Sequence, residues 1–173
     1  NSASGDPLLE GGAQGGGGAA ASAKASPKPA PVALHIYDVG RRSEVQYCNR
    51  VLRSIGTGIF HCGVEVFGSE WSFEARGIFQ CPPRQCSGHA YRESLPMGHT
   101  RLSQLQVLQL LAMLQRDWEG ESYDILRHNC CHFCSDFCRW LGVRSLPEWV
   151  LNLAGAGATF VDTRTSVLAC CRR

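Results

Sequence analysis

Apolar and polar residues alternate from Val32 onward. Val32, Leu34 and Ile36 fall on one side and Ala33, His35 and Tyr37 on the other, which is the period of a strand. A second alternation sets Phe60, Cys62, Val64 and Val66 on an apolar face and Ile59, His61, Gly63, Glu65 and Phe67 opposite them. Gly68-Ser69 reads as a tight turn, and residues 70–76 as the returning third strand. A kinked loop, Cys81-Pro82-Pro83-Arg84-Gln85-Cys86, precedes a short strand expected near Tyr91 to Leu95. Elsewhere the period becomes helical. Ser43 with Gln46 forms a capping-box pattern ahead of Val45, Cys48, Leu52 and Ile55, and Gly56 ends that helix. Ser103 caps a longer helix with Leu105, Leu108, Leu111, Ala112 and Gln115 on one stripe, running to Gly120. A third helix begins after Asn129, carries Phe133, Phe137, Trp140 and Leu141, and stops at Gly142. A short helix over 146–154 has Pro147 in its first turn. The pattern predicts an α+β fold, a small antiparallel sheet packed against helices.

The ends carry no such pattern. Residues 1–31 are almost entirely Gly, Ala, Ser and Pro with scarcely a bulky apolar side chain, and burial there could not offset the entropy of ordering. They are expected to form a disordered tail, followed by one folded domain over 32–154 and a C-terminal tail over 155–173. The formal charge is +2, and no run of Lys and Arg or basic–aromatic interleaving points to nucleic acid.

Ten cysteines shift the picture toward thiol chemistry. Cys130, Cys131, Cys134 and Cys138 are too close along one helix to pair readily as disulfides. With no apolar run of ~18 residues and no signal peptide, a reducing cytosolic or nuclear setting is expected. Cys81, Cys86, Cys131, Cys134 and His132 could be assembled into a zinc site, but the pairs do not each make the usual C-x2-C knuckle, and no metal or cofactor is expected. Cys170-Cys171-Arg172-Arg173 resembles an S-acylation site on a membrane-facing tail, although a frayed end explains it as simply.

The sharpest chemistry lies at Arg127-His128-Asn129-Cys130-Cys131-His132-Phe133-Cys134. Asn129 is a good N-cap, so Cys130 takes the first helical position. There, unpaired N–H groups and the helix dipole are expected to lower its pKa and make a nucleophile. A strand histidine, His61, would serve as base and later as general acid. The amides at the helix start, around Asn129 and Cys131, would act as oxyanion donors. Glu65, two residues from His61 on the same face, is a candidate to orient the imidazole. Gly63 leaves room for another backbone to approach. His35, His89, His99, His128 and His132 read as surface or satisfied polar residues.

Three blocks in order, Gly58-Ile59-Phe60-His61-Cys62-Gly63-Val64-Glu65-Val66-Phe67-Gly68, Asn129-Cys130-Cys131-His132-Phe133 and Leu146-Pro147-Glu148-Trp149-Val150-Leu151-Asn152-Leu153-Ala154, resemble the PPPDE family over about residues 32–154. These are permuted papain-fold cysteine isopeptidases, and the resemblance is nearest to their second branch, some of whose members are described as deubiquitinating. It implies a permuted papain-like fold with His61 as catalytic histidine and Cys130 as nucleophile. It also implies cleavage, without a metal or cofactor, of the isopeptide bond at the C-terminus of ubiquitin or a ubiquitin-like modifier such as SUMO. The chain departs from the family in having Cys131 where Asn is usual and Cys62 where Ser or Thr is usual, in a longer stretch around Ser43, and in its Cys81–Cys86 loop. Asn129-Cys130-x-His132-Phe133 is also similar to the lecithin–retinol acyltransferase relatives, so S-acyl thioesterase or lipid acyltransferase chemistry is the alternative. Pro147-Glu148-Trp149 favours the isopeptidase. An inactive binding module is a third reading, opposed by the intact pair. Homodimerisation is left open.

Overall fold

The computed structural model describes residues 28–40, 46–47, 49–50, 52 and 58–152. Five strands, β1 (Ala30–Asp38), β2 (Phe60–Val66), β3 (Ser69–Glu74), β4 (Gly77–Cys81) and β5 (Ala90–Thr100), form one antiparallel sheet in the order β4-β3-β2-β1-β5. Three helices follow: α1 (Gln104–Leu114), α2 (Cys130–Leu141) and the short α3 (Glu148–Leu151). This is the expected α+β architecture. Of the tails expected at 1–31 and 155–173, residues 1–27 and all of 155–173, with Cys170 and Cys171, lie outside the described residues, as do Ser43, Val45, Cys48, Ile55 and Gly56; Ala30 and Pro31 belong to β1. Of the predicted first helix, Gln46, Tyr47, Asn49, Arg50 and Leu52 are helical.

Register explains both faces of the sheet. Val32, Leu34 and Ile36 sit opposite Val66, Val64 and Cys62, and all six are buried against Phe133, Cys134, Phe137 and Cys138 of α2. The other face carries His35, Tyr37, His61, Glu70 and Ser72, all polar and all buried. A two-residue turn at Phe67-Gly68, with φ of 51° and 72°, joins β2 to β3, so Ser69 opens the strand rather than the turn.

Several boundaries differ from expectation. β1 starts at Ala30, where Pro31 pairs only toward β5; the ladder with β2 begins at Val32, so the missing proline N–H falls outside it. β4 fills residues given no element by the sequence and meets the Cys81–Cys86 loop at Cys81. β5 is far longer than the predicted 91–95, with Arg92 and Met97 as extra residues at two register shifts. Met97 turns into the core, and Arg92 reaches back to Asp38 at 3.0 Å. Ser103 caps α1 in a full capping box with Gln106, but α1 ends at Leu114. Its buried face is Val107, Leu111 and Leu114, leaving Leu105 and Leu108 exposed. On α2, Trp140 is 51% exposed instead of lying on the buried stripe. Pro147 precedes α3 as its cap.

Candidate active site

The site grows from a gap in the sheet. β2 pairs with β3 only at Val64–Trp71, Glu65–Glu70 and Val66–Ser69, so the His61 end of β2 is unpaired on that side. The first turn of α2 is set against this open end, and the thiols of Cys130 and Cys131 both reach the Phe60 carbonyl, at 3.9 and 3.8 Å. Trp149 closes the arrangement, standing edge-on to Phe60 with ring centroids 5.3 Å apart.

The loop before α2 is fixed by its own hydrogen bonds. Asp124 and His128 exchange two backbone bonds of 2.9 Å, and Asp124 Oδ1 accepts from the amides of Leu126 and Arg127. These amides hold the Asp124 carboxyl below its ordinary pKa. The His128 ring stacks on buried Trp118 at 4.0 Å. Asn129 then accepts from the amides of Cys131 and His132 at 2.9 and 3.2 Å, while its own side-chain N–H donates to the Ile125 carbonyl. Asn129 is thus the cap the sequence indicates, but it consumes two of the amides expected to serve as oxyanion donors. The Cys130 amide is left.

The expectation of a low-pKa thiol at Cys130 does not hold. Its pKa is raised well above the ordinary value, first by the hydrogen bond with Cys131, then by burial and by Cys131's charge; the charge and hydrogen bond of His61 pull the other way. With Cys130 only 4% exposed, desolvation outweighs the helix terminus. Cys131 is also raised: its bond with Cys130 lowers it, but contact with Cys62 and burial prevail. The two thiols differ in what they face. Cys131 Sγ lies 3.6 Å from Cys62 Sγ in the core, whereas Cys130 is the thiol whose pKa the His61 ring pulls down. The bond from Cys131 lowers the Cys62 pKa, yet burial carries it to about 12.

His61 is 2% exposed and held at Nε2. Ser72 Oγ is 3.0 Å away and Cys86 Sγ 3.4 Å. The Ser72 hydroxyl donates to the Cys62 carbonyl, so its oxygen is free to accept from His61 Nε2–H. The imidazole is also stacked on His89 at 4.2 Å and 9°. Glu65 is not its orienter: the Glu65 carboxylate lies 2.7 Å from His35 Nε2, with Ser94 on the other ring nitrogen. Ser72 and His89 escaped sequence reading because nothing but the β3 register and the return of the 82–89 loop brings them to His61.

Gly63 makes room, as expected, but for a side chain rather than a backbone. A Cβ there would lie 2.2 Å from Glu70 Oε1. Buried Glu70 accepts from the Tyr37 hydroxyl at both oxygens, 2.8 Å each, and from the Arg84 amide at 2.7 Å. Burial raises its pKa despite these donors. The network ties the 82–89 loop to the sheet beside His61. The zinc ligands suggested by sequence are not assembled, since Cys131 is turned into the core and Cys86 lies at His61.

Residues 30–168 match the family model described as "PPPDE putative peptidase domain". The chain is 31% identical over 133 residues to "DeSI-like protein At4g17486" of Arabidopsis thaliana, covering 74% of this chain and 57% of that protein. It is 30% identical over 132 residues to "Desumoylating isopeptidase 1 homolog" of Caenorhabditis elegans, covering 71% of this chain but 38% of the relative. To "Desumoylating isopeptidase 1" of Homo sapiens it is 27% identical over 128 residues, 73% of this chain and 76% of that protein.

Proposed function

This chain belongs to the PPPDE peptidase family, and we propose that it is a cysteine isopeptidase releasing SUMO, or a related ubiquitin-like modifier, from protein lysines. What supports the reading is the family match together with the placement of Cys130 at the start of α2, against the unpaired His61 end of β2, beside a Cys131 whose thiol turns to Cys62 in the core. Relatives named desumoylating isopeptidases supply the substrate class. The free cysteines of the described residues fit work in a reducing setting such as the cytosol or nucleus.

Ser72 holds His61 as the Nε2–H tautomer, leaving Nδ1 to take the Cys130 proton. The resting pair is neutral, and the ion pair forms as the thiolate attacks the isopeptide carbonyl carbon. The oxyanion accepts from the Cys130 amide, the one of the first three helical N–H groups that Asn129 does not take. The His61 imidazolium then protonates the departing lysine amine, leaving a thioester on Cys130. Water, deprotonated by His61, attacks this thioester; the thiolate leaves, takes back the proton, and the modifier departs with a free carboxylate. A pair so little exposed suits a slender extended C-terminal segment.

The test is labelling with SUMO and ubiquitin carrying a C-terminal electrophile. The wild type is expected to form one adduct, on Cys130. Cys130→Ser abolishes it and Cys131→Ser retains it. The reverse pattern would move the nucleophile to Cys131, and turnover of an acyl thioester with no modifier labelling would replace the isopeptidase reading.

A further inference from the structure

We propose that His61, Glu74, Cys86 and His89 form a zinc-binding site that shuts off the Cys130–His61 pair when occupied. One nitrogen, oxygen or sulfur from each of the four lies within 4.8 Å of all the others, the one such cluster of at least three donors among the described residues. Two imidazoles, a thiol and a carboxylate are a donor set zinc favours. In tetrahedral coordination with bonds of ~2.0–2.3 Å, donors stand roughly 3.3–3.8 Å apart. Two edges already have this length: Cys86 Sγ to His61 Nε2 and Glu74 Oε1 to His89 Nε2, both 3.4 Å. The rest needs contraction of at most about 1.0–1.5 Å, with a tilt of the stacked His61 and His89 rings so that both lone pairs meet at the ion.

The elements allow that contraction. His61 and Glu74 stand on β2 and β3 where those strands have parted, so neither is locked by a ladder between them. Cys86 and His89 belong to the 82–89 loop, whose near end is anchored by the Arg84–Glu70 bond and whose far end joins β5. A half-turn of chain between Cys86 and His89 includes Gly88 at φ 89°, a conformation only glycine takes easily. The cluster is partly open: Glu74 and His89 are neither fully buried nor fully exposed, giving an ion a way in.

Occupancy has a defined chemical consequence. Zinc takes the Nε2 lone pair of His61, and the proton held there moves to Nδ1. The Cys86 thiol gives its proton to solvent and its sulfur to the metal. Nδ1 then carries a hydrogen and has no lone pair for the Cys130 proton, so thiolate formation stops. Ser72 loses its donor. Removing the ion returns both protons. The inhibitory half of this proposal rests on the pairing of His61 with Cys130; the site itself does not.

Cobalt(II) reads the site directly. Titrated into the reduced full chain, it is expected to give one equivalent of tetrahedral visible bands and a near-ultraviolet sulfur charge-transfer band. The charge-transfer band disappears in Cys86→Ser and persists in Cys130→Ser and Cys131→Ser. Glu74→Gln, a substitution outside the core, weakens zinc affinity by about tenfold or more and serves if Cys86→Ser does not fold. Absence of the bands in the wild type, their persistence in Cys86→Ser, or unchanged affinity in Glu74→Gln would overturn the site. Zinc should also silence modifier labelling of Cys130, with chelator restoring it; labelling undiminished at metal saturation overturns the inhibition alone. If no modifier probe reacts at all, the isopeptidase reading fails while the cobalt spectrum still decides the site.

Discussion

Ser72 acts through another residue: its hydroxyl relays from the Cys62 carbonyl to His61 Nε2 and thereby selects the tautomer. Ser72→Ala should lower kcat for modifier release by about 10–100-fold with little change in KM, shift its pH profile, and be rescued in part by Ser72→Thr. A merely structural role would move none of the pH dependence. Gly63 gives a stability prediction of the same scale. Gly63→Ala drives a methyl into the Glu70 carboxylate and should cost about 2–4 kcal/mol in denaturant unfolding. The placement of Asn129 and Cys130 at a helix start and of His61 on a strand was legible, because a cap, a helix start and a strand alternation are local signals. Ser72, His89 and Glu70 were not, since each acquires its role from a partner across strands. The raised Cys130 pKa was missed for a related reason: its cause is burial and a second sulfur, which helix position alone does not report.

Among the elements, α2 is the best determined. Asn129 satisfies two amides, hydrogen-bonds His132 at Nδ1 and ties back to Ile125, while Gly142 closes the far end at φ 70°. Asn129→Ala should cost about 1–2 kcal/mol and also loosen Cys130, reducing probe labelling more than global stability. The phase of the helix is checked by a pair of substitutions. Phe137→Ala, in the core, should cost about 3–5 kcal/mol, whereas Trp140→Ala should stay within about 0.5 kcal/mol. Sequence periodicity located α1 and α2 but blurred their faces, because Leu and Trp count as apolar whether or not they are buried; Leu105, Leu108 and Trp140 stay about half exposed or more. β4 was invisible because Ile78 and Phe79 are adjacent and break the alternation by which a short strand is read.

For the whole molecule, the buried polar face couples stability to pH. Burial raises the Glu70 pKa above its unfolded value, so the folded state binds the proton more tightly. Its contribution is then fully present below the unfolded pKa and declines as pH rises through the folded one. The stability of the wild type relative to Glu70→Gln should therefore be greatest in acid and fall toward neutrality, measured by denaturant unfolding across that range. An increase toward neutrality would show that the Tyr37 and Arg84 donors outweigh desolvation.

The strand order also sets a sequence of events in time. β2, β3 and β4 are a meander joined by short turns and can form from a contiguous stretch, whereas β5 must find β1 across some 50 to 70 residues and α2 must reach Phe60 across about as many. Cys62 and the four thiols of α2 are all buried and unpaired in the finished domain, but none is protected until that last docking occurs. The thiols around the proposed catalytic pair are thus the slowest to be sheltered. During synthesis or refolding they stand as a row of free sulfurs open to oxidants and alkylating agents, and pulsed alkylation should see all five close together, in one late step.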